Sequence, residues 1–220
     1  MLTVPEFIAP GDRHLTRRFT EALALAAELH AGQARKGTDV PFVSHVMTVA
    51  AIALEYGAQE VEAIAALLHD AIEDAPRPPG AHAVRALIRE RFGEAVLAIV
   101  EGCTDTDADP KPPWLDRKRR YLAHLGAAAG PVLLVSAADK LHNVRAILRG
   151  HEEVGDRVFE RFNREAGKTG TVGYYRILAD LFEARRSDGA GAFPRLADAV
   201  TTAVVTLERK AGVEGRWPPG

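Results

Sequence analysis

Apolar residues recur at steps of three and four along nearly the whole chain, and this spacing restricts the fold more than any other feature. Phe19, Leu23, Ala26 and Leu29 illustrate it near the start, and residues three or four apart share one face of an α-helix. The period-two alternation typical of half-buried strands is scarce. The sequence therefore predicts an all-α protein.

Glycine and proline divide this pattern into predicted helices joined by loops. The expected helices cover residues 15–29, 41–57, 61–72, 83–92, 94–101, 115–125, 132–148, 172–186 and 196–210. No internal repeat or linker separates them. We therefore expect a single domain over residues 1–220, with a core of about 15–187 and a loose tail at 211–220.

Composition excludes several classes of function. Lys plus Arg total 28 against 30 for Asp plus Glu, a net charge of -2, whereas a nucleic-acid binder needs a basic surplus. Cys103 is the only cysteine, so neither an internal disulfide nor a thiolate zinc cluster can form. Charged residues interrupt every long apolar run, and the first residues resemble no secretory signal. We expect a cytoplasmic protein that binds neither nucleic acid nor a membrane; the sequence does not indicate an oligomeric state.

Three separated segments carry side chains suited to chemistry. They are Pro41-Phe-Val-Ser-His45, His69-Asp70-Ala-Ile-Glu73-Asp74 and Ala138-Asp139-Lys140-Leu-His-Asn143. The second ends the most apolar predicted helix, and the third lies early in another apolar helix. Each segment therefore places polar groups where the surrounding pattern predicts burial.

The second segment joins three carboxylates and an imidazole to an almost entirely apolar helix. On a regular helix, one turn separates His69 from Glu73 and Asp70 from Asp74. Buried carboxylates are costly unless they are paired, protonated or bound to a cation, and negative charge at a helix C-terminus opposes the helix dipole. A divalent metal would resolve the conflict, since imidazole and carboxylate without thiolate suit Mn, Fe, Mg or Zn. A solvent-exposed helix end is the alternative interpretation.

The third segment places Asp139 and Asn143 one turn apart, so they share a face of their helix. Apolar flanks on both sides predict that this helix is buried and carries a polar notch. The notch either belongs to the same site or forms a hydrogen-bond network between helices.

Taken in order, His45, His69-Asp70 and Asp139 resemble the H…HD…D signature of the HD superfamily. The string His30-Ala-Gly-Gln33-Ala-Arg35-Lys36-Gly37 and the three segments resemble the hydrolase domain of RelA/SpoT homologues. The resemblance covers about residues 19–182. It implies a single HD-type helical domain with a central metal site, and a free-standing small alarmone hydrolase of the bacterial stringent response.

The resemblance also implies a role for each matching position. It implies one divalent ion, Mn²⁺, bound by His45, His69, Asp70 and Asp139. It implies that the attacking water is served by Glu73 and Asp74. We expect contacts to the substrate from Arg35, Lys36, Lys140, Asn143 and Tyr174. The expected reaction removes the 3′-pyrophosphate of the guanosine polyphosphates ppGpp or pppGpp and leaves GDP or GTP.

Two departures from the family leave alternatives open. Val46 stands where the family commonly has Pro, and Ser136-Ala137 stand where it often has Lys-Leu. The second departure leaves open the choice between guanine and adenine alarmones. Another nucleotide, such as a phosphorylated dinucleotide, is an alternative substrate, and a non-catalytic alarmone-binding module is an alternative function. Glu73 and Asp74 argue against the binding module, because a pure binder has little use for them.

The remaining signals indicate structural roles. The basic run 117–120 is expected to be a solvated helix face. His30 and His142 lie inside family-like strings but are expected to be structural, and Cys103 is expected to be a small buried residue.

Overall fold

A computed structural model describes residues 14–76, 78–162 and 166–214. Within these ranges the chain forms nine α-helices and one 3-10 helix. They are α1 (Arg17–Leu29), α2 (Val43–Glu55), α3 (Glu60–Leu68), α4 (Ala81–Phe92), α5 (Glu94–Cys103), α6 (Trp114–Gly126), α7 (Gly130–Val154), the 3-10 helix (Gly155–Arg161), α8 (Gly167–Ala184) and α9 (Phe193–Ala211). Apart from an isolated bridge between Ala34 and Pro41, the described residues contain no β-structure. The all-α prediction is confirmed.

The centre of the fold is α3, in which residues 63–68 are at most 1% exposed. It packs against α1, α2, α5 and α7, as expected of a helix that is apolar on every side. A capping box starts it: the Gln59 backbone N–H donates to Glu62 Oε2 at 2.9 Å, and the Gln59 side chain accepts a backbone N–H in return. The helix therefore carries the residues that follow it, beginning with buried His69, into the protein interior.

The longest helix, α7, crosses the same core. Pro131 lies in its first turn, where a missing N–H costs nothing. Gly130 lets the backbone at Asp188 pack closely against the start of α7, since a Cβ at position 130 would lie 2.6 Å from the carbonyl oxygen of Asp188. Residues 132–139 are all buried, so Asp139 reaches the core beside the end of α3. Neither α7 nor any other helix in the described ranges is long and apolar enough to cross a membrane.

The prediction of a continuous helix through residue 72 was wrong. Regular helix ends at Leu68, and residues 69–74 form successive turns. The Ala71 N–H donates to the Leu68 carbonyl and the Asp74 N–H to the Asp70 carbonyl, each at 2.9 Å. A regular helix would have stacked the acidic side chains at its C-terminus, where the helix dipole opposes them. The acidic side chains therefore lie in turns beyond the end of the regular helix.

The buried core extends past residue 187, the limit expected from the sequence. Helix α9 packs against α7 and α8, and its residues from Phe193 to Leu207 join the same apolar cluster as those of α1 to α8. The Arg176 guanidinium binds both carboxylate oxygens of Glu208 and so links α8 to α9. The prediction of one domain is consistent with this shared core. Residues 215–220 of the expected tail lie outside the described residues.

Candidate active site

Four side chains predicted as metal ligands meet at one point in the interior. His45 lies in α2, His69 and Asp70 follow α3, and Asp139 lies in α7. Asp70 Oδ2 is 3.3 Å from His45 Nε2 and 3.1 Å from His69 Nε2. Asp139 Oδ1 is 3.3 Å and 3.7 Å from the same two nitrogens. Three segments that are far apart in the chain thus bring two imidazole nitrogens and two carboxylate oxygens together. We call these four side chains, His45, His69, Asp70 and Asp139, the four-residue centre.

Contacts on the far side of each ring orient the two imidazoles. His69 Nδ1 donates to the Ala66 carbonyl oxygen at 2.8 Å, which leaves its Nε2 without a proton in the neutral ring. No protein donor among the described residues reaches that buried Nε2, which instead faces the acceptor-only carboxylates of Asp70 and Asp139. His45 Nδ1 lies 2.7 Å from His142 Nδ1 on the opposite side of its own ring. Such outer contacts are typical of histidines that bind a metal.

The electrostatics of this centre favour a positive charge. Burial alone would raise the pKa of the Asp70 carboxyl, but His69 and His45 outweigh burial and hold that pKa well below its usual range. Burial also opposes ionisation of Asp139, yet Lys140 and the same histidines lower its pKa strongly. Conversely, burial lowers the pKa of His69, and the two carboxylates raise it by more than burial lowers it. The buried Asp139 carboxylate and the partly buried Asp70 carboxylate therefore stay ionised and attract a cation to the space between them.

The donor set fits a divalent cation. Ligand atoms of His45, His69 and Asp70 all lie within 4.8 Å of one another, and Asp139 Oδ1 faces the same histidines. Imidazole and carboxylate donors without thiolate suit Mn, Fe, Mg or Zn, and one cation could bind both the His69 Nε2 and the two carboxylates that face it. The described residues therefore fit a divalent metal.

Asp139 also anchors a chain of polar side chains that leads away from the centre. Lys140 Nζ donates to Asp139 Oδ2, and Asn143 Nδ2 to Asp139 Oδ1, each at 2.5 Å. Arg35 Nη2 donates to Asn143 Oδ1 at 2.7 Å. The predicted shared face of Asp139 and Asn143 is confirmed. Arg35, predicted to clamp phosphate, is positioned by Asn143 next to the centre.

Glu73 and Asp74 follow the predicted ligand Asp70 in the turns after α3, and both lie near Lys111. Lys111 Nζ donates to Glu73 Oε1 at 2.9 Å and lies 3.7 Å from Asp74 Oδ1. Gln33 Nε2 donates to Asp74 Oδ2 at 2.9 Å. Burial and the nearby Asp70 charge raise the pKa of Glu73, and Lys111 partly offsets this rise. A carboxylate with a raised pKa is suited to accept and return a proton.

A cavity of about 330 Å³ adjoins these groups. Its cationic lining residues are Lys36, Lys111, Arg117, Lys118 and Lys140. Its aromatic lining residues are Trp114, Phe162, Tyr174 and Tyr175. Glu73, Asn143 and Thr171 complete the lining. Four of the five cations also contact the carboxylates of Glu73, Asp105 or Asp139. The lining still carries more cations than carboxylates, which suits a polyanion, and its aromatic side chains suit a flat ring.

The prediction that residues 117–120 form a solvated face was wrong for Arg117 and Lys118. Their side chains are only 13% and 18% exposed, and both pair with Asp105, while Arg119 and Arg120 are exposed. Helical spacing could have revealed this, because residues 114, 117, 118 and 121 form one stripe that ends in buried Tyr121. Lys111 lies in a loop and gave no comparable signal.

The other predicted site residues lie at the cavity or beside it. Tyr174 is buried at 5% exposure, and its ring contacts Trp114 and lies 5.1 Å from Lys118 Nζ. Lys36 is exposed at the cavity rim. Arg35 and Lys36 also line a neighbouring cavity of about 170 Å³, beside His142. The prediction that Cys103 is buried is confirmed.

Sequence comparison relates this arrangement to known proteins. Residues 22–170 match the family described as HD domain. MESH1 of Xenopus tropicalis, a guanosine-3′,5′-bis(diphosphate) 3′-pyrophosphohydrolase, is 36% identical over 132 residues, which are 59% of this chain and 69% of MESH1. The bifunctional (p)ppGpp synthase/hydrolase SpoT of Escherichia coli K12 is 30% identical over 135 residues, or 60% of this chain. The matched part is only 18% of the length of SpoT.

A solved structure shares the fold. It is that of a metazoan ortholog of SpoT, described as hydrolysing ppGpp and playing a role in starvation responses. It aligns with a TM-score of 0.64 at 23% identity, covering 91% of this chain and 99% of that chain. The helical fold of this chain is therefore one already seen in another protein.

Proposed function

Because this chain belongs to the HD domain family, we propose that it is a metal-dependent 3′-pyrophosphohydrolase that converts ppGpp and pppGpp to GDP and GTP. The supporting observation is that the four-residue centre lies beside a cation-lined cavity. Lys140 and Asn143 connect the two, because both line the cavity and both donate hydrogen bonds to Asp139. The names of the MESH1 and SpoT relatives support the same substrate. Such a substrate would be met in the cytoplasm, which we propose as the location.

An HD domain implies a divalent metal, and we propose Mn²⁺ as the ion. His45, His69, Asp70 and Asp139 would hold it, because their four ligand atoms converge and their carboxylates stay ionised. When bound, such an ion acidifies water and offsets negative charge on a phosphoryl group. Lys140 and Asn143 keep the Asp139 carboxylate in place by donating to its two oxygens.

Glu73 and Asp74 would manage the protons of the attacking water. Water adds to phosphorus at the 3′-pyrophosphate, its proton passes to a carboxylate, and the bond from that phosphorus to the ribose 3′-oxygen breaks. The leaving 3′-oxygen then takes up a proton, so that GDP and pyrophosphate result from ppGpp. Glu73 suits this exchange because burial and Asp70 raise its pKa, an effect that Lys111 partly offsets.

The cavity would bind the substrate by charge and by stacking. A guanosine polyphosphate carries several negative charges, and Lys36, Lys111, Arg117 and Lys118 can offset them. Arg35 lies next to Asn143 and would contact a phosphate through its planar guanidinium. Tyr174 and Asn143 would contact the nucleoside from the cavity wall.

The direct test is the release of pyrophosphate from ppGpp with and without Mn²⁺. We expect release by the wild type only with Mn²⁺, and none by Asp70→Ala. Glu73→Gln should lose turnover but still bind Mn²⁺ in isothermal titration calorimetry, because Glu73 is not among the four ligands. Release of another product from a nucleotide panel, with ppGpp inert, would reassign the substrate. Mn²⁺ binding without hydrolysis of any nucleotide would instead indicate a binding module.

A further inference from the structure

A short chain of hydrogen bonds links the end of α1 to Asp74, one of the two carboxylates proposed to serve the attacking water. His30 Nδ1 lies 2.7 Å from Gln33 Oε1. Gln33 Nε2 lies 2.9 Å from Asp74 Oδ2. His30 is 3% exposed, so one end of the chain is anchored in the core while the other ends at Asp74.

The direction of both hydrogen bonds follows from the chemistry of the groups. A carboxylate only accepts, so Gln33 presents its amide NH₂ to Asp74 and its carbonyl oxygen to His30. That carbonyl also only accepts, so His30 Nδ1 carries the proton. His30 Nε2 then carries none, in agreement with its burial without a hydrogen-bond partner among the described residues. His30 thereby prevents the amide from rotating its carbonyl oxygen toward the Asp74 carboxylate.

The backbone holds Gln33 at the place from which it reaches Asp74. The Gln33 N–H donates to the His30 carbonyl at 3.1 Å, and the Gln33 carbonyl accepts the Phe42 N–H at 2.8 Å. Gly32 supplies the left-handed conformation of this turn with φ of 74°. The His30 ring also packs on Phe42, with 4.7 Å between ring centroids. A side chain held at both ends on a fixed turn defines its partner's position closely.

Lys111, the other partner of Asp74, holds it less firmly. Its Nζ is 3.7 Å from Asp74 Oδ1, its side chain is 44% exposed, and it donates to Glu73 at the shorter distance of 2.9 Å. Exposed ion pairs contribute little and yield readily to other ions. The orientation of the Asp74 carboxylate therefore depends mainly on Gln33.

We propose that Gln33 is a positioning residue that orients the Asp74 carboxylate toward the reacting water, and that His30 sets the direction of the Gln33 amide. This inference rests on the proposed role of Asp74 in hydrolysis. It gives the buried His30 a part in the reaction, although His30 is neither one of the four proposed metal ligands nor a lining residue of the cation-lined cavity.

The test is the steady-state kinetics of Gln33→Met with ppGpp and Mn²⁺. Methionine keeps the shape of the side chain and removes both hydrogen bonds. We expect kcat to fall about tenfold or more, as for other groups that orient a reacting side chain. KM and the Mn²⁺ affinity measured by calorimetry should change less than twofold. Asp39→Asn, an exposed change in the same loop, is the matched control and should leave kcat unchanged.

Two further variants separate positioning from a structural role. Gln33→Glu keeps the acceptor for His30 but presents a carboxylate to Asp74, so it should lower kcat while the loop stays folded. His30→Phe should lower kcat, and adding it to Gln33→Met should lower kcat little further, because both changes break one chain. Independent, multiplicative losses would overturn the role of His30.

The outcomes distinguish this inference from the proposed function. Wild-type protein that releases no pyrophosphate from ppGpp would overturn the proposed function and, with it, the role of Gln33. Active wild type with undiminished kcat in both Gln33→Met and Gln33→Glu would overturn the positioning role alone. A parallel loss of kcat, Mn²⁺ affinity and melting temperature would assign Gln33 a purely structural role and equally overturn the inference.

Discussion

The imidazoles of His45 and His142 lie side by side, with 2.7 Å between their Nδ1 atoms and 28° between their ring planes. One of these nitrogens must donate and the other accept. When His45 Nε2 binds a cation, that ring carries its proton on Nδ1, so His142 must be the acceptor. Burial, together with His45 and Arg35, lowers the pKa of His142 to about 4, which keeps the His142 ring neutral and able to accept.

His142→Phe should therefore weaken metal binding. Phenylalanine keeps the stacked ring but cannot accept the His45 N–H, so that ring loses its fixed orientation. Loss of an outer partner of a metal-binding histidine typically costs about 10–100-fold in affinity. Calorimetric titration with Mn²⁺ measures the effect. His151→Phe, on the same helix and away from the centre, is the control, and equal affinities in the two variants would contradict the assigned role.

Lys118→Met should impair substrate binding. Lys118 lies between Asp105 and the Tyr174 ring on the cavity wall, and a charge-assisted hydrogen bond is worth about 1.5–3 kcal/mol. We expect KM for ppGpp to rise about tenfold, with a weaker dependence of KM on salt concentration because one attractive charge is lost. Arg119→Met changes the neighbouring exposed cation and should leave KM unchanged. A similar rise in both variants would indicate only a general loss of positive charge.

Cys103 should react slowly with thiol reagents in the folded protein. Burial raises the pKa of its thiol to about 11, so at pH 8 only about a thousandth is thiolate, the reactive form. The thiolate fraction rises tenfold per pH unit below the pKa, so labelling should accelerate as the pH is raised. Unfolding restores the ordinary thiol pKa of about 8.5 and exposes Cys103 fully to the reagent.

Colour development with dithionitrobenzoate at pH 8, with and without denaturant, measures the rate at which Cys103 reacts in the unfolded and in the native protein. Ala123→Cys, which adds a thiol at an exposed position of α6, provides the fast-reacting control. Equal rates for native and denatured wild type would show that Cys103 is accessible and would contradict its burial.

Helix positions could be predicted from the sequence because each helix buries an apolar face, and that face is visible in local spacing. The four metal ligands could be named because they match a family signature. The turns after Leu68 could not be predicted, since the spacing of Ala71 and Ile72 fits a helix as well as it fits buried turns. Periodicity reports burial, and it does not show where the backbone stops making helical hydrogen bonds.

The roles of His142 and Gln33 could not be predicted, because each depends on a contact with a residue that is distant in the sequence. His142 faces His45 across 97 positions, and Gln33 reaches Asp74 across 41. Nothing around His142 distinguishes a partner of a metal ligand from a histidine that merely fills space. Such roles arise only when folding brings α2 against α7 and the loop after α1 against the turns after α3.

Two neighbouring valines test whether α9 belongs to the same cooperative unit as the site. Val204 is fully buried and Val205 is 50% exposed. Val204→Ala should lower the free energy of unfolding by roughly 1.5–2.5 kcal/mol, from lost apolar burial and the cavity that remains. That loss corresponds to a fall in Tm of roughly 4–8 °C for a domain of this size.

Val205→Ala should change stability by less than about 0.5 kcal/mol, because it removes little buried surface. Thermal unfolding followed by circular dichroism measures both variants. A single transition that shifts as a whole for Val204→Ala would show that α9 unfolds together with the helices that position His45, His69 and Asp139. A second transition, with only the lower one shifted, would mean that α9 unfolds on its own, and the domain that holds the site would then end before residue 193.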